Sequence, residues 1–539
     1  MSVYLQTPGE ERCDVAIVGA GPSGLAAAAL LREHGVGVTI IDEQPRAGGQ
    51  ILRQPPRNFA VGHWLPAKLY DRVKAALGAV SERSDIDWRF QSTVLGLMQP
   101  SPYRLTASAA SRNRATTSGL GGVGTDALGR DGAVARGASV SGHSEDVGKG
   151  SGGAGVAAHQ LWIQGPTGCY VLRADAVLLA PGCYERPLAF PGWTLPGVMG
   201  AGAIQGFVKS QQFVPGNRFV LAGSHPLQLV VADQLLSAGA QVAAVVFTQQ
   251  ISQAMTMVKH PIVALRQRRQ FFETAKILSR LRRARVPVIF GHSIVRADGG
   301  AAVERATIAA IDPKGIIDHH RTQVFECDRV GICHGFLASS ELARQAGAAV
   351  HWREQAGGWL AEHNDWLESS IKNLFLAGEI TSVDGADAAL EKGRIAAVGI
   401  LRSLGRIDEA AASRLAAAPR ERLAQLQDFA AVLQELAKPP AELALQTMSD
   451  DTILCRCESI KRGELQRQLT ENKHVTSADA AKLLTRVGMG LCQGRMCGDN
   501  VAKVIAAARG LQPTEVGPFQ AQAPVKPVPL ATLTRGRCG

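Results

Sequence analysis

The sequence predicts an α/β fold with two dinucleotide-binding domains and a small helical C-terminal domain. Residues 12–50 and 219–247 each begin with an apolar strand, a turn, an Ala/Leu-rich helix and a second strand, which is the start of a βαβ unit. Four of the ten cysteines fall within residues 455–497, which indicates a separate small domain. A chain of 539 residues has room for three or four domains.

The composition excludes a globally disordered chain. Hydrophobic residues make up 46% and charged residues 19%, enough to form large buried cores. The formal charge of +11 is spread along the chain and predicts no nucleic-acid partner. The long uncharged stretches contain prolines, glycines or glutamines and the first residues are polar, so we expect neither a transmembrane segment nor a secretion signal. We therefore expect a cytoplasmic protein, compatible with peripheral membrane association.

The first glycine motif is Gly19-x-Gly21-x-x-Gly24, which follows a strand and opens a helix. Gly19 allows a tight turn, Gly21 lets the backbone approach a pyrophosphate, and Gly24 lets helix and strand pack closely. Asp42 ends the next strand, where it and the neighbouring Glu43 are placed to accept hydrogen bonds from a ribose. The pattern predicts a dinucleotide site, and a glycine turn without ligand is the alternative.

Further motifs resemble the pyridine nucleotide–disulfide oxidoreductase superfamily. They are Gly48-Gly49-Gln50 and Ala377-Gly378-Glu379. The resemblance implies FAD at the first site, with Gln50, Gly378 and Glu379 along its far side. Glu379 stands where the family has an aspartate.

Two features of the disulfide reductases are missing from this sequence. No cysteine pair follows Gly49, and residues 216–326 contain no cysteine, which argues against thiol–disulfide chemistry. The second glycine motif keeps only Gly223, because His225 and Pro226 stand where glycines would admit phosphate. The following strand ends without a carboxylate for a ribose, so we predict that NAD(P) does not bind there. We interpret His225 as a structural residue.

The C-terminal cysteines have the spacing Cys455-x-Cys457 and Cys492-x4-Cys497. Four thiolates suit either a [2Fe–2S] cluster or zinc. A C-x-C pair with a glycine-rich loop favours the cluster, because small residues let backbone N–H groups approach the sulfides. Zinc and the absence of any metal remain alternatives. The segment resembles the bacterioferritin-associated-ferredoxin-like (BFD-like) [2Fe–2S] domain.

Two further strings, CYERP at 183–187 and FPGWTLPGV at 190–198, resemble one subfamily. It contains the larger FAD/[2Fe–2S] subunits of bacterial heteromeric amino-acid and opine dehydrogenases. Its members include the larger flavin subunits of octopine and nopaline oxidase, hydroxyproline dehydrogenase, the FAD/[2Fe–2S] component of hydrogen cyanide synthase and part of the alpha chain of sarcosine oxidase. The resemblance implies an electron-transferring component of an FAD-dependent oxidoreductase that acts on CH–NH or CH–NH2 donors. It also implies a smaller amine-oxidase-type flavoprotein partner and, as a further one, a small ferredoxin-like protein.

The substrate class that this resemblance implies is an amino acid, imino acid or opine. Glycine oxidation, as in hydrogen cyanide synthase, is an alternative, as are a stand-alone NAD(P)H-dependent flavin oxidoreductase and a zinc-containing binding protein. We identify no catalytic base. Arg186 is the nearest candidate for a residue that stabilises reduced, anionic flavin, although a structural role in a loop explains it equally well.

The expected domain arrangement follows from these motifs and from shifts in composition. Residues 107–158 are rich in Gly, Ser and Ala and contain no aromatic residue, which predicts a disordered insertion. The expected parts are an FAD-binding domain over 12–215 and 331–405, a second Rossmann-like domain over 216–330, a helical linker over 406–445, a BFD-like domain over 450–510 and an extended Pro-rich tail over 511–539.

Overall fold

A computed structural model of the chain describes residues 11–51, 53, 78–99, 158–254 and 268–534. The predicted insertion over 107–158 lies outside the described residues, apart from its last position. The helices of the described part are α1 Pro22–Glu33, α2 Ala201–Gly206, α3 Leu227–Ser237, α4 Ile251–Ala254, α5 Arg268–Arg283, α6 Glu341–Gln345, α7 Ala386–Ser403, α8 Glu409–Leu436, α9 Leu443–Gln446, α10 Arg462–Glu471, α11 Ala478–Thr485, α12 Gly498–Arg509, α13 Pro513–Val516 and α14 Leu530–Thr534.

The first sheet has the strand order β3-β2-β1-β6-β5-β4, with β19 paired to β6. Its central strands are parallel, while β4 and β5 form an antiparallel edge. Val15 and Ile17 of β1 are fully buried, as expected for a strand covered on both faces. Helices α1 and α7 pack together against this sheet. The strands are β1 Glu11–Val18, β2 Val38–Ile41, β3 Asp87–Arg89, β4 Thr93–Met98, β5 His159–Gln164, β6 Cys169–Leu179 and β19 Leu374–Leu376.

The second sheet is parallel throughout, with the order β11-β10-β9-β15-β8. Helix α3 connects β9 to β10, which gives the second βαβ unit that the sequence predicts. An antiparallel sheet of β12, β13 and β14 shares a hydrophobic core with it. The strands are β8 Val198–Gly200, β9 Arg218–Gly223, β10 Gln241–Phe247, β11 Val288–Phe290, β12 His292–Asp298, β13 Arg305–Ile311, β14 Ile317–Glu326 and β15 Arg329–Cys333.

Three short antiparallel pairs complete the described strands. They are β7 Cys183–Glu185 with β16 Phe336–Ala338, β17 Val350–Arg353 with β18 Gly358–Ala361, and β20 Ile453–Cys455 with β21 Ile460–Lys461. The short helix Gly378–Ile380 is of the 3-10 type, and Phe207–Gln211 forms a π-helix after α2.

The helices after residue 405 belong to two structures. Helix α8 lies along α7, with Ala412 and Ala416 buried against Val398, so the predicted linker is packed on the first domain. Helices α10, α11 and α12 pack on one another, share a hydrophobic core with the hairpin β20–β21 and form the cysteine-containing domain. Two short helices, α13 and α14, interrupt the tail that its prolines predict to be extended. In the described ranges, no helix is long and apolar enough to cross a lipid bilayer.

Candidate functional site

Gly19 and Gly21 lie in the turn between β1 and α1, Gly24 lies in the first turn of α1, and their surroundings differ. Gly19 has a φ of +108°, and a Cβ there would lie 2.3 Å from the carbonyl oxygen of Ala180. A Cβ at Gly24 would lie 2.0 Å from the carbonyl oxygen of Gly19. At Gly21 the nearest protein atom would be 3.9 Å away. Gly19 and Gly24 are therefore required by packing, whereas the space beside Gly21 is open to a ligand at the helix N-terminus.

Asp42 is half-buried where β2 ends, and its carboxylate accepts two backbone hydrogen bonds. The N–H groups of Ala20 and Gln44 donate to it over 2.6 Å and 2.7 Å. Burial raises the pKa of Asp42, and these two hydrogen bonds partly oppose that rise. Asp42 therefore holds the glycine turn against the end of β2. Glu43 is exposed beside it and forms an ion pair with Lys526 of the C-terminal tail.

Gly49, Gln50 and Gly378 lie opposite the glycine turn. Gly49 has a φ of +58°, and a Cβ there would approach the Cα of Gly21 to 2.9 Å. The Gln50 side chain donates to the Cys183 carbonyl over 3.1 Å. Gly378 has a φ of +79° and lies against Ser23 of α1. These contacts bring three separate segments of the chain to the N-terminus of α1.

Glu379 is next to a buried ion pair that the sequence patterns did not reveal. The Lys392 ammonium lies 2.8 Å from the Asp384 carboxylate, and both side chains are at most 4% exposed. Burial alone would raise the pKa of Asp384, but Lys392 and a hydrogen bond from Ser382 hold that pKa below its usual value. Burial raises the pKa of Glu379, which contacts the Cys183 thiol. A lysine within the apolar helix sequence AALEKGRIAAV is the signal that could have indicated such a pair.

All the residues predicted to bind FAD, except Gly24, line one cavity of about 820 Å³. Its walls include Gly19, Gly21, Asp42, Glu43, Gln50, Gly378 and Glu379. The close backbone approach at Gly21 and Gly49 leaves the N-terminus of α1 facing this space, and no side chain within the described residues caps that helix. These features fit the pyrophosphate and ribose of FAD.

Arg186 also lines this cavity, and its side chain is only 4% exposed. It donates to the backbone carbonyl of Glu354 over 2.6 Å and lies 3.7 Å from the Glu354 carboxylate. Its Nε atom is buried and has no hydrogen-bond partner among the described residues. Arg186 therefore makes a structural contact with Glu354 at the wall of the cavity.

The second glycine motif has a different geometry from the first. The N–H groups of Ser224 and His225 both donate to the Cys333 carbonyl over 2.9 Å, and the Leu227 N–H donates to His225 Nδ1 over 3.1 Å. A Cβ at Gly223 would lie 2.0 Å from the Cys333 carbonyl oxygen. The surviving glycine is thus required by a neighbouring strand. The N–H groups that would hold a pyrophosphate at the start of α3 are engaged within the protein, which opposes dinucleotide binding.

The four C-terminal cysteines lie together as two pairs. The Cys455 thiol interacts with that of Cys497, and the Cys457 thiol with that of Cys492. A hydrogen bond from Cys497, together with backbone N–H groups such as that of Gly488, lowers the pKa of Cys455 to about 6. Cys497 also interacts with Cys457 and Cys492, so all four thiols lie close together. Four clustered thiols with backbone N–H donors can supply the ligands of a [2Fe–2S] cluster.

Glycines and the C-terminal tail enclose the cysteine loop. A Cβ at Gly490 would lie 2.2 Å from the Cβ of Cys457, so the loop passes directly against this cysteine. The ring of Phe519 is 7% exposed and lies on Gly488 and Gly494, which leave room for it by lacking side chains. The tail then continues to Lys526 at Glu43. The tail from Phe519 to Lys526 therefore covers the cysteine loop and reaches the edge of the cavity that contains the first glycine motif.

Arg495 fixes the cysteine loop to the first domain. Its guanidinium lies 3.4 Å from the Glu341 carboxylate, which also accepts a hydrogen bond from Tyr184, and it donates to the Val525 carbonyl over 3.0 Å. Arg495 and Cys492 both line the cavity that contains the first glycine motif. The structure therefore brings the two predicted cofactor sites to one cavity.

Three family models match this chain. They are the NAD(P)-binding Rossmann-like domain over residues 17–73, the pyridine nucleotide-disulphide oxidoreductase model over 164–398 and the BFD-like [2Fe-2S] binding domain over 453–507. The matches confirm the fold class and the two cofactors that the sequence predicts, FAD and a [2Fe–2S] cluster. The domain boundaries and the individual cofactor-binding residues stay predictions.

Relatives match over nearly the whole chain. The A-type subunit of opine oxidase from Rhizobium meliloti is 30% identical, covering 96% of this chain and 98% of its own. The hydrogen cyanide synthase component HcnB of Pseudomonas protegens is 28% identical, with 96% of each chain covered. The solved structure of L-proline dehydrogenase from P. horikoshii has the same fold, with a TM-score of 0.61 at 18% identity over 97% of this chain and 80% of that one. The chain therefore belongs to the family of A-type opine oxidase subunits.

Proposed function

We propose that this chain is the electron-transferring FAD/[2Fe–2S] subunit of a heteromeric dehydrogenase that oxidises an amino acid, imino acid or opine. Substrates of the proline, hydroxyproline, octopine or nopaline type are the candidates. Relatives named as subunits of opine oxidase, hydrogen cyanide synthase and sarcosine oxidase support this class of enzyme.

One observation carries the proposal. Cys492, a predicted cluster ligand, forms part of the wall of the cavity that also contains Gly21 and Gly378. When bound, FAD accepts an electron pair that it can release singly to a [2Fe–2S] cluster. Because Cys492 belongs to the wall of the flavin cavity, electrons need to cross only the cysteine loop to pass from the flavin to the cluster.

The residues of the chain have separate tasks in this proposal. The N-terminus of α1, opened by Gly21, holds the pyrophosphate, and Asp42 orients the glycine turn while Glu43 faces the ribose. Gln50 and Glu379 lie along the far side of the flavin. Cys455, Cys457, Cys492 and Cys497 hold the cluster. Arg495, paired with Glu341, keeps the cysteine loop at the cavity.

The partner in this proposal is a smaller amine-oxidase-type flavoprotein that removes electrons from the substrate. A small ferredoxin-like protein is a second candidate partner. The names of the relatives support the presence of partner subunits. The first of these partners would bind the substrate, so this chain would act on electrons rather than on the C–N bond.

The test is anaerobic substrate reduction of the complex of this chain with its partner, compared with a Cys492→Ser variant. In the wild-type complex we expect the flavin absorbance to bleach and a reduced [2Fe–2S] spin-resonance signal to follow. In C492S the bleaching remains and the cluster signal is lost. Cys169→Ser is the matched control, because Cys169 begins strand β6 and is not one of the predicted cluster ligands.

Two results would contradict the proposal. One is full amino-acid dehydrogenase activity of this chain without a partner. The other is rapid bleaching of its flavin by NADH, which would indicate a stand-alone reductase instead.

A further inference from the structure

Helix α5 packs on the second domain with one face only. Ile277 and Leu281 are its buried residues, and they belong to the core that α3 forms with the second sheet. Because an α-helix has about 3.6 residues per turn, the sequence gives the side chains that lie on the opposite side. All of them are exposed, and we call them the outer face of α5: Arg268, Phe272, Ala275, Ser279 and Arg282.

The net charge of the chain is concentrated at this helix more than its overall composition indicates. Residues 268–285 contain seven Lys or Arg and one acid, Glu273, so they carry +6 of the formal +11. Lys276 pairs with Glu273, and Arg280 pairs with Asp233 of α3. The remaining arginines are exposed and have no acidic partner within the described ranges: Arg268, Arg269, Arg282, Arg283 and Arg285.

Apolar side chains are exposed among these cations. Phe272 is 62% exposed on the outer face, and the Lys276 ammonium lies 4.4 Å from the centre of its ring. Leu278 on the flank of the same helix is 41% exposed. A helix that is rich in arginine and also exposes a phenylalanine and a leucine has the composition of a segment that lies in the interface of a lipid bilayer.

The composition of the outer face favours a bilayer over other anionic partners. The core of a protein interface is depleted in charged residues, whereas α5 presents one aromatic ring among unpaired arginines. The phosphates of a nucleic acid would neutralise the arginines but would leave Phe272 and Leu278 in water. A bilayer accommodates both kinds of side chain, because its phosphates lie directly above the acyl chains.

We propose that the outer face of α5 binds the surface of an anionic phospholipid bilayer. The unpaired arginines contact the lipid phosphates, and the ring of Phe272 enters the boundary between headgroups and acyl chains. This role goes beyond electron transfer and does not rest on it. No residue of α5 lines the cavity that contains the first glycine motif, and none belongs to the cysteine loop.

The test is co-sedimentation of the full-length holoprotein with vesicles of phosphatidylcholine and phosphatidylglycerol in a ratio of two to one. We expect binding that weakens as the salt concentration rises, and no binding to vesicles of phosphatidylcholine alone. Each cation at an anionic surface strengthens binding about fivefold, so the triple variant Arg268→Gln, Arg282→Gln and Arg283→Gln should bind about a hundredfold more weakly. Phe272→Ala should weaken binding about tenfold, because its ring no longer leaves water.

The matched control removes the same charge from exposed positions of other helices. It combines Arg414→Gln on α8, Arg467→Gln on α10 and Lys473→Gln just after α10. This variant has the same net charge as the α5 triple variant, and we expect it to bind the vesicles like the wild type. Circular dichroism of both variants checks that the fold is kept.

Several results would overturn the inference. They are the absence of binding to the anionic vesicles, unchanged binding of the α5 triple variant, an equal loss of binding in the control variant, and displacement of the protein from vesicles by duplex DNA at equal phosphate concentration. Loss of the partner flavoprotein from the α5 triple variant, with vesicle binding unchanged, would assign this face to a protein instead.

Discussion

Replacing Phe519 by alanine tests whether the C-terminal tail holds the cysteine loop in place. The ring is 7% exposed and fills the space above Gly488 and Gly494, which flank Cys492 in sequence. The Phe519 carbonyl accepts a hydrogen bond from Arg344 over 2.7 Å, so the backbone is held separately from the ring. The substitution therefore removes the packing while leaving this backbone contact available.

The expected loss of stability follows from the burial of the ring. Phe→Ala in a packed site costs about 3–5 kcal/mol. Because Phe519 belongs to a terminal segment that can detach locally, we expect the lower end, about 3 kcal/mol. At about 1.4 kcal/mol per tenfold change, this corresponds to an open state populated about a hundredfold more often.

The assay is the rate of iron release from the anaerobic holoprotein to a coloured chelator. We expect release from F519A to be about a hundredfold faster than from the wild type, provided that release proceeds through the open loop. Phe519→Leu keeps most of the apolar volume and should stay close to the wild type. Phe272→Ala on α5 is the matched control, because Phe272 is 62% exposed. An unchanged release rate in F519A would refute the argument that the tail protects the loop.

Three further predictions concern the first domain and its border. Gly21→Ala should keep the fold but lose bound flavin, whereas Gly24→Ala should fail to fold because its methyl group would lie 2.0 Å from a carbonyl oxygen; flavin content and circular dichroism together separate these outcomes. Lys392→Met should destabilise the holoprotein by about 3–5 kcal/mol because Asp384 stays buried without its counter-ion, and thermal unfolding should show recovery when Asp384→Leu is added. Burial lowers the pKa of His225 from 6.5 to about 4, so the unfolded chain binds this proton first; stability should fall as pH decreases from about 6.5 towards 4, and His225→Gln should flatten that slope in denaturant titrations.

The glycine motif could be interpreted from sequence because its geometry is local, and the cysteines because four thiols in one short region are a typical metal-ligand set. Gly19 and Gly24 are fixed by contacts within one strand, turn and helix, apart from the approach of Ala180. The family models confirm the fold class and the [2Fe–2S] cluster, and they also confirm FAD, which the resemblance to a known superfamily had implied. Sequence spacing alone also gave Asp42 a ribose-binding role. The structure adds that its carboxylate supports the turn through Ala20 and Gln44.

Contacts between distant segments could not be predicted in the same way. Lys526 and Glu43 are 483 positions apart, and no periodicity connects a Pro-rich tail with the edge of a nucleotide site. The same holds for Arg495, whose partners Glu341 and Val525 belong to a helix of the first domain and to the tail. Such pairs depend on how domains dock, which a single sequence does not encode in its local pattern.

The docking also decides how the two cofactor sites depend on each other. Gln493 and Arg495, inside the cysteine loop, donate to the carbonyls of Pro524 and Val525 over 3.0 Å. The next residue, Lys526, pairs with Glu43 beside the first glycine motif. A cysteine loop that loses its cluster would release these tail contacts, and the edge of the flavin cavity would lose its cover. FAD should therefore dissociate faster from C492S than from C169S, because the tail residues 524–526 would no longer hold the edge of the cavity.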